Sequence, residues 1–137
     1  MERGKTGQSL SYARPMAAIV VLMMKRQGQD GRDAGIDALR DAGHDVRVIE
    51  PRFPDCQTEL HGVRAALVVV DARHAPSHGR ATAGWMAMQA RFRTTPFLFV
   101  DVPDRDMARV KKDLPRAQFA TWASVVGASE RLAKRRA

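Results

Sequence analysis

Apolar and polar positions alternate along the chain in blocks of strand and helix length. Ala17–Met23 (AAIVVLM) is a continuous apolar run rich in β-branched residues, as expected of a strand buried on both faces. A helix is predicted over Gly31–Ala42, with Ile36 and Leu39 on its buried stripe and Gly43 placed to end it. Val46–Ile49 reads as a second strand. Pro51 and Pro54 then break the pattern and leave one helical turn at Thr58–His61, a short or degenerate second helix. Ala65–Val70 (AALVVV) is the third strand and runs into Asp71. After a loop over ARHAPSHG, a helix is predicted for Arg80–Arg91. Its spacing of Ala81, Trp85, Met88 and Phe92 makes an apolar face that reads as core.

Pro96 opens a fourth strand, FLFV, ending at Asp101. Asp104 stands where the N-cap of the next helix belongs, and Met107, Val110 and Leu114 mark that helix's inner side. Gln118–Trp122 is a weaker fifth strand. The last helix spans Ser124–Arg136 with Val125, Ala128 and Leu132 inward, and Lys134, Arg135 and Arg136 suit its negative end. Strand–helix alternation of this kind implies an α/β protein with a doubly wound, five-stranded parallel sheet and helices on both faces. The flavodoxin-like strand order 2-1-3-4-5 is the expected topology, and it puts function beyond the carboxyl ends of the strands. The side chains there are Met24 and Lys25, Asp71, Asp101 and Trp122.

Composition narrows the chemistry. The chain has 137 residues, a length for one domain, assigned here to residues 15–137 behind a polar leader over 1–14 expected to be mobile. One cysteine, Cys56, rules out an intramolecular disulfide framework and a four-thiolate zinc site. No signal peptide or membrane span is readable, and a cytoplasmic location is expected. The formal net charge of +8 comes from arginines scattered along the chain, with a cluster only in RLAKRRA and no interleaved aromatics. That distribution argues against nucleic-acid recognition.

Other residues offer little chemistry. His74 and His78 flank Pro76 in what reads as a surface loop, so solvated histidines are expected rather than a metal site. KRQGQDGRD, after the first strand, lacks the glycine spacing of a phosphate cradle. No His–Asp arrangement is readable near Cys56. No catalytic residue, metal or cofactor is expected.

Residues 16–136 resemble the receiver domain of bacterial two-component response regulators. The resemblance is strongest in LVVVDARHAPSHG, where Asp71 matches the family's acceptor aspartate and Gly79 its glycine eight residues on, while the loop proline is displaced by one to Pro76. TPFLFVDVPD looks like the family's fourth strand and the turn after it. The resemblance implies a phosphoryl acceptor at Asp71, Mg²⁺ held by acids after the first strand, a Ser or Thr after the fourth and a lysine after the fifth. The chain instead has Met24 and Lys25, Asp101, and Trp122 at or within a residue or two of the lysine position. A carboxylate at Asp101 repels a phosphoryl group at Asp71 by a few kcal/mol at an effective dielectric of about 20.

The expected function is therefore that of a non-catalytic, receiver-like signalling module acting through protein contacts, without the usual Mg²⁺-dependent phosphorylation. Trp122 would plug the pocket a phosphate would occupy. By resemblance, its partner is another protein or a fused output domain, and a homodimer would use the surface Asp104–Arg136. Two alternatives stay open: a phosphorylatable receiver with Asp71 as acceptor, and a flavodoxin-like binder of a nucleotide or other small molecule.

Overall fold

The computed structural model describes residues 17–24, 32–72 and 76–136. The leader over 1–14, Lys25, the loop to Gly31 and His74 lie outside the described residues. Five strands, β1 (Ala18–Leu22), β2 (Asp45–Ile49), β3 (Leu67–Asp71), β4 (Phe97–Val100) and β5 (Gln118–Ala120), form one sheet. All pairs are parallel, and the order is β2-β1-β3-β4-β5. The expected topology is the observed one. Its central strands read as unbroken apolar runs because helices cover both of their faces.

Among the described residues five α-helices cover the sheet: α1 (Arg32–Asp41), α2 (Asp55–Leu60), α3 (Pro76–Ala87), α4 (Asp104–Asp113) and α5 (Val125–Arg136). One face of the sheet buries Val20, Leu22, Val68, Val70 and Phe99 against Cys56 and Leu60 of α2, Met86 of α3 and Val110 of α4. The other buries Ile19, Val21, Val69 and Leu98 against Ile36 and Leu39 of α1 and Val125, Ala128 and Leu132 of α5. Among the described residues no helix is long and apolar enough to cross a membrane.

Four local expectations are corrected. The α2 helix is short, as expected, but its six residues begin at Asp55, ahead of the single turn expected at Thr58–His61, because Cys56 and Leu60 give it a buried side. At α4, Asp104 is the first helical residue and Pro103 precedes it without a side-chain cap, so Asp104 contributes its charge to the positive helix end instead. The β5 strand stops at Ala120, because Thr121 closes a capping box with Ser124 and starts a 3₁₀ turn over Trp122–Ser124.

The largest change is at α3. This helix starts at Pro76, inside the expected loop, since a proline with its fixed φ fits a first turn. The helix buries Gly79, Thr82, Ala83 and Met86 and leaves Ala81 exposed. Trp85 is half-buried and Met88 is 83% exposed, so the anticipated core face Ala81–Trp85–Met88 is mostly surface. Phe92 is buried, but it gets there from a 3₁₀ turn over Ala90–Phe92 rather than from the helix.

Candidate functional site

The carboxyl ends of β1, β3, β4 and β5 converge on Asp71. Parallel pairing sets Leu22 beside Val70 and Asp71 beside Val100, so Met23 comes level with Asp71 one step past the last β1–β3 pair. Side chains alternate across a strand, which puts Asp71 on the same sheet face as Leu67 and Val69. That is the face carrying Ile19, Val21, Met23 and Trp122 in one apolar cluster. Asp71 is only 3% exposed.

A buried carboxylate needs hydrogen-bond donors. Trp122 supplies one: its indole Nε1–H donates to Oδ1 of Asp71 at 3.1 Å. The sequence around Trp122 fixes that reach. Thr121 Oγ1 accepts from the Ser124 N–H at 3.2 Å and the Ser124 hydroxyl accepts from the Thr121 N–H at 3.1 Å, which locks the turn that aims the indole inward. The Trp122 backbone N–H donates to Oδ1 of Asp101 at 3.4 Å. Trp122 therefore addresses both carboxylates, one with its ring and one with its main chain.

Asp101 sits at the β4 end with φ of 55°, in the left-handed region that Asp tolerates better than most residues. Its backbone N–H donates to the Ala120 carbonyl at 3.0 Å, continuing the β4–β5 ladder by one step. Its carboxylate is turned to the start of the Trp122 turn, just past the end of the neighbouring strand.

The indole also fixes its surroundings. A Cβ built on Gly35 of α1 would lie 2.5 Å from Cε3 of Trp122. Only glycine allows α1 to close over the ring. Gly79 does the same for α3, where a Cβ would meet Val70 Cγ1 at 2.7 Å, one residue before Asp71. The glycine that the resemblance singled out is thus a close-packing position behind the β3 end.

The described residues do not fit a hard divalent cation. Such an ion takes oxygen ligands, whereas Met23 and Met24 are both buried and supply thioethers. Among the described residues no group of three or more His, Cys, Asp or Glu could hold a metal. The residue that sequence reading missed is Met23. Strand register, not spacing, reveals it, because Leu22 is the last paired residue and Met23 is the first to face the pocket. Met24 is buried beside it, and Lys25 lies outside the described residues. Likewise Thr121, not Trp122, is the first residue past β5, and it is exposed.

An open depression beyond Asp101 is lined by Val102 before α4, Met107 in its first turn, and Phe119, Ala120 and Thr121. Lys111 of α4 lies over the Phe119 ring at 5.7 Å from its centroid.

No family model matches the sequence, and no curated protein does. Solved structures do match. The chemotaxis response regulator CheY4 of Vibrio cholerae superposes with a TM-score of 0.66 at 15% identity, covering 86% of this chain and 99% of that one. A structure of the same Vibrio protein crystallized at pH 4.0 gives a TM-score of 0.68, also at 15% identity. The fold is the flavodoxin-like CheY fold. At this identity the likeness is one of architecture, and the residues at the strand ends carry the reading of function.

Proposed function

We propose that this chain is a receiver-fold signalling module, comprising residues 15–137, that works through protein contacts with its acceptor-like aspartate held out of use. The observation that carries the reading is the Trp122 indole N–H on Oδ1 of Asp71 at 3.1 Å, on the buried sheet face that also carries Met23. Phosphoryl transfer to Asp71 needs its oxygen free to attack. It also needs the charge of the incoming group neutralised, since a phosphoryl group adds roughly two negative charges. Here a bulky ring occupies the approach to that oxygen, thioethers replace metal-binding oxygens, and Asp101 adds a second negative charge at the neighbouring strand end. In this reading the module is not an enzyme.

The partner-facing side of this reading is the surface Asp104–Arg136. It offers Met107 and Phe119 around the depression, with the exposed cations Arg105, Arg109 and Lys112 on α4 alongside. That combination suits a protein partner or fused output domain with an apolar anchor and acidic flanks.

Incubation with acetyl phosphate and Mg²⁺ followed by intact-mass spectrometry tests the assignment. The expected spectrum is that of the unmodified chain. A stable phosphoryl adduct on Asp71 would replace it with the alternative reading, a phosphorylatable receiver in which Trp122 swings aside.

A further inference from the structure

Arginines that are scattered along the sequence are gathered by the fold. The strands β3, β4 and β5 are neighbours in a parallel sheet, so the three loops leading into them lie side by side at the end opposite Asp71. These loops, 61–66, 88–96 and 114–117, bring together Arg64, Arg91, Arg93 and Arg116, all exposed, with no Asp or Glu among them. Contacts between the loops hold the group in place. Thr95 Oγ1 donates to the Ala65 carbonyl at 3.4 Å, the Arg91 guanidinium to the Leu60 carbonyl at 2.8 Å, and the Arg116 guanidinium to the Arg93 carbonyl at 2.6 Å.

The negative ends of α2, α3 and α4 point the same way and favour cations there. That accounts for Arg91 and Arg116, which donate to main-chain carbonyls. It leaves Arg64 and Arg93, whose guanidinium groups have no hydrogen bond or carboxylate partner among the described residues. The acids beside the loops, Glu59 and Asp113, belong to the ends of α2 and α4, and Asp113 is engaged by Arg80 at 3.5 Å. Like charges gathered without counter-charges repel, and what they gain is attraction for an anion. All four are arginines, whose planar forks match carboxylate geometry.

A cavity of about 150 Å³ opens between the 88–96 and 114–117 loops. Ala87, Pro96, Phe97, Leu114 and Ala117 make most of its wall, and Arg116 and Asp113 also line it. An apolar cavity of about this size holds a benzene-sized group.

We propose that this end of the molecule binds an acidic peptide segment of a partner protein, with one leucine- or phenylalanine-sized side chain in the cavity and flanking carboxylates on Arg64, Arg93 and Arg116. Two observations select that occupant. The positive group calls for an anion. That sets aside a second copy of this chain, at a formal charge of +8, and the chain's own leader, where Arg3, Lys5 and Arg14 outnumber Glu2. The cavity calls for an apolar side chain, which a phosphodiester backbone lacks, and the one aromatic residue of the loops, Phe92, is buried and offers no ring for a base to stack on. This surface is separate from the depression beside Met107 and Phe119, and the inference holds whether or not Asp71 accepts a phosphoryl group.

Fluorescence anisotropy on the full chain at physiological salt tests it, with a labelled peptide of one leucine flanked by glutamates. The peptide should bind, and replacing its leucine with serine should weaken binding about tenfold or more. Arg64→Glu and Arg93→Glu should each have a similar effect. Arg47→Glu makes the same charge change on β2, at the far edge of the sheet, and should leave binding almost unchanged. All three arginines are exposed, so melting should confirm that the variants remain folded. Absence of binding at millimolar peptide overturns the proposal, as does binding that ignores the leucine, survives both loop substitutions or falls as far in Arg47→Glu. Tighter binding of a single-stranded oligonucleotide, or of vesicles containing phosphatidylserine, through the same arginines also overturns it.

Discussion

Trp122 and Asp71 meet through a 3.1 Å hydrogen bond from indole N–H to carboxylate, made from the turn after β5 to the end of β3. The contact spans the width of β4 and ties the edge of the sheet to its centre. It combines a polar bond with the packing of a large ring against α1, so it can be taken apart in steps.

Trp122→Phe removes the donor and keeps most of the apolar volume. It leaves a buried carboxylate with one fewer N–H, at a cost of about 1–3 kcal/mol. Chemical denaturation should show a lower midpoint with an unchanged slope. An unchanged midpoint would mean that Asp71 does not depend on the indole.

Gly35→Ala acts on the same ring from the other side. Helix propensity alone favours alanine by about 1 kcal/mol. The new Cβ, however, would sit 2.5 Å from the Trp122 ring, and overpacking of this kind costs about 1–3 kcal/mol. Net destabilisation is expected, together with a change in tryptophan emission that persists in a Trp85→Phe background. Stabilisation without a spectral change would show that α1 does not clamp the indole.

Met23→Asp places a second carboxylate on the Asp71 face. In a chelator the variant should lose about 3 kcal/mol or more, because an unpaired charge has been buried among apolar side chains. Added Mg²⁺ should recover part of that stability by binding only the folded form. Melting curves with EDTA and with Mg²⁺ measure both effects; the wild-type chain should show no such difference.

Cys56 gives a pH dependence. Burial pushes its thiol above the ordinary value of 9.0, and the Thr82 hydroxyl 3.9 Å from Sγ works in the opposite direction. The folded chain therefore holds the thiol proton to higher pH than the unfolded chain does. Stability from this group is complete below the unfolded pKa and falls as pH rises through the interval up to the raised folded value. Cys56→Ala should flatten the alkaline limb of the stability profile, and the folded wild type should resist iodoacetamide until it unfolds.

The sheet was legible in the sequence because each central strand is a contiguous β-branched or aromatic run between turn residues, and parallel order follows from alternation with helices. Asp71, Asp101 and Trp122 were legible as a group because strand ends converge in such a sheet. Two things were not legible. The extent of α3 is one, because Pro76 reads equally as a loop residue or a first-turn residue. The helix runs from Pro76 to Ala87, so Met88 falls beyond its end and the row turned to the sheet is Gly79, Thr82, Ala83 and Met86. The role of Met23 depends on register, and an apolar residue at a strand end does not reveal which face it joins.

The two outer strands have a consequence for how this molecule meets others. At one rim β5 offers only three residues, and at the other β2 exposes Asp45 and Arg47. Short or charged rims resist the addition of a foreign strand. Recruitment by sheet extension is thereby disfavoured, and so is stacking into fibrils. Recognition falls to the helices and loops, whose side chains can be changed one at a time without disturbing the ladder beneath.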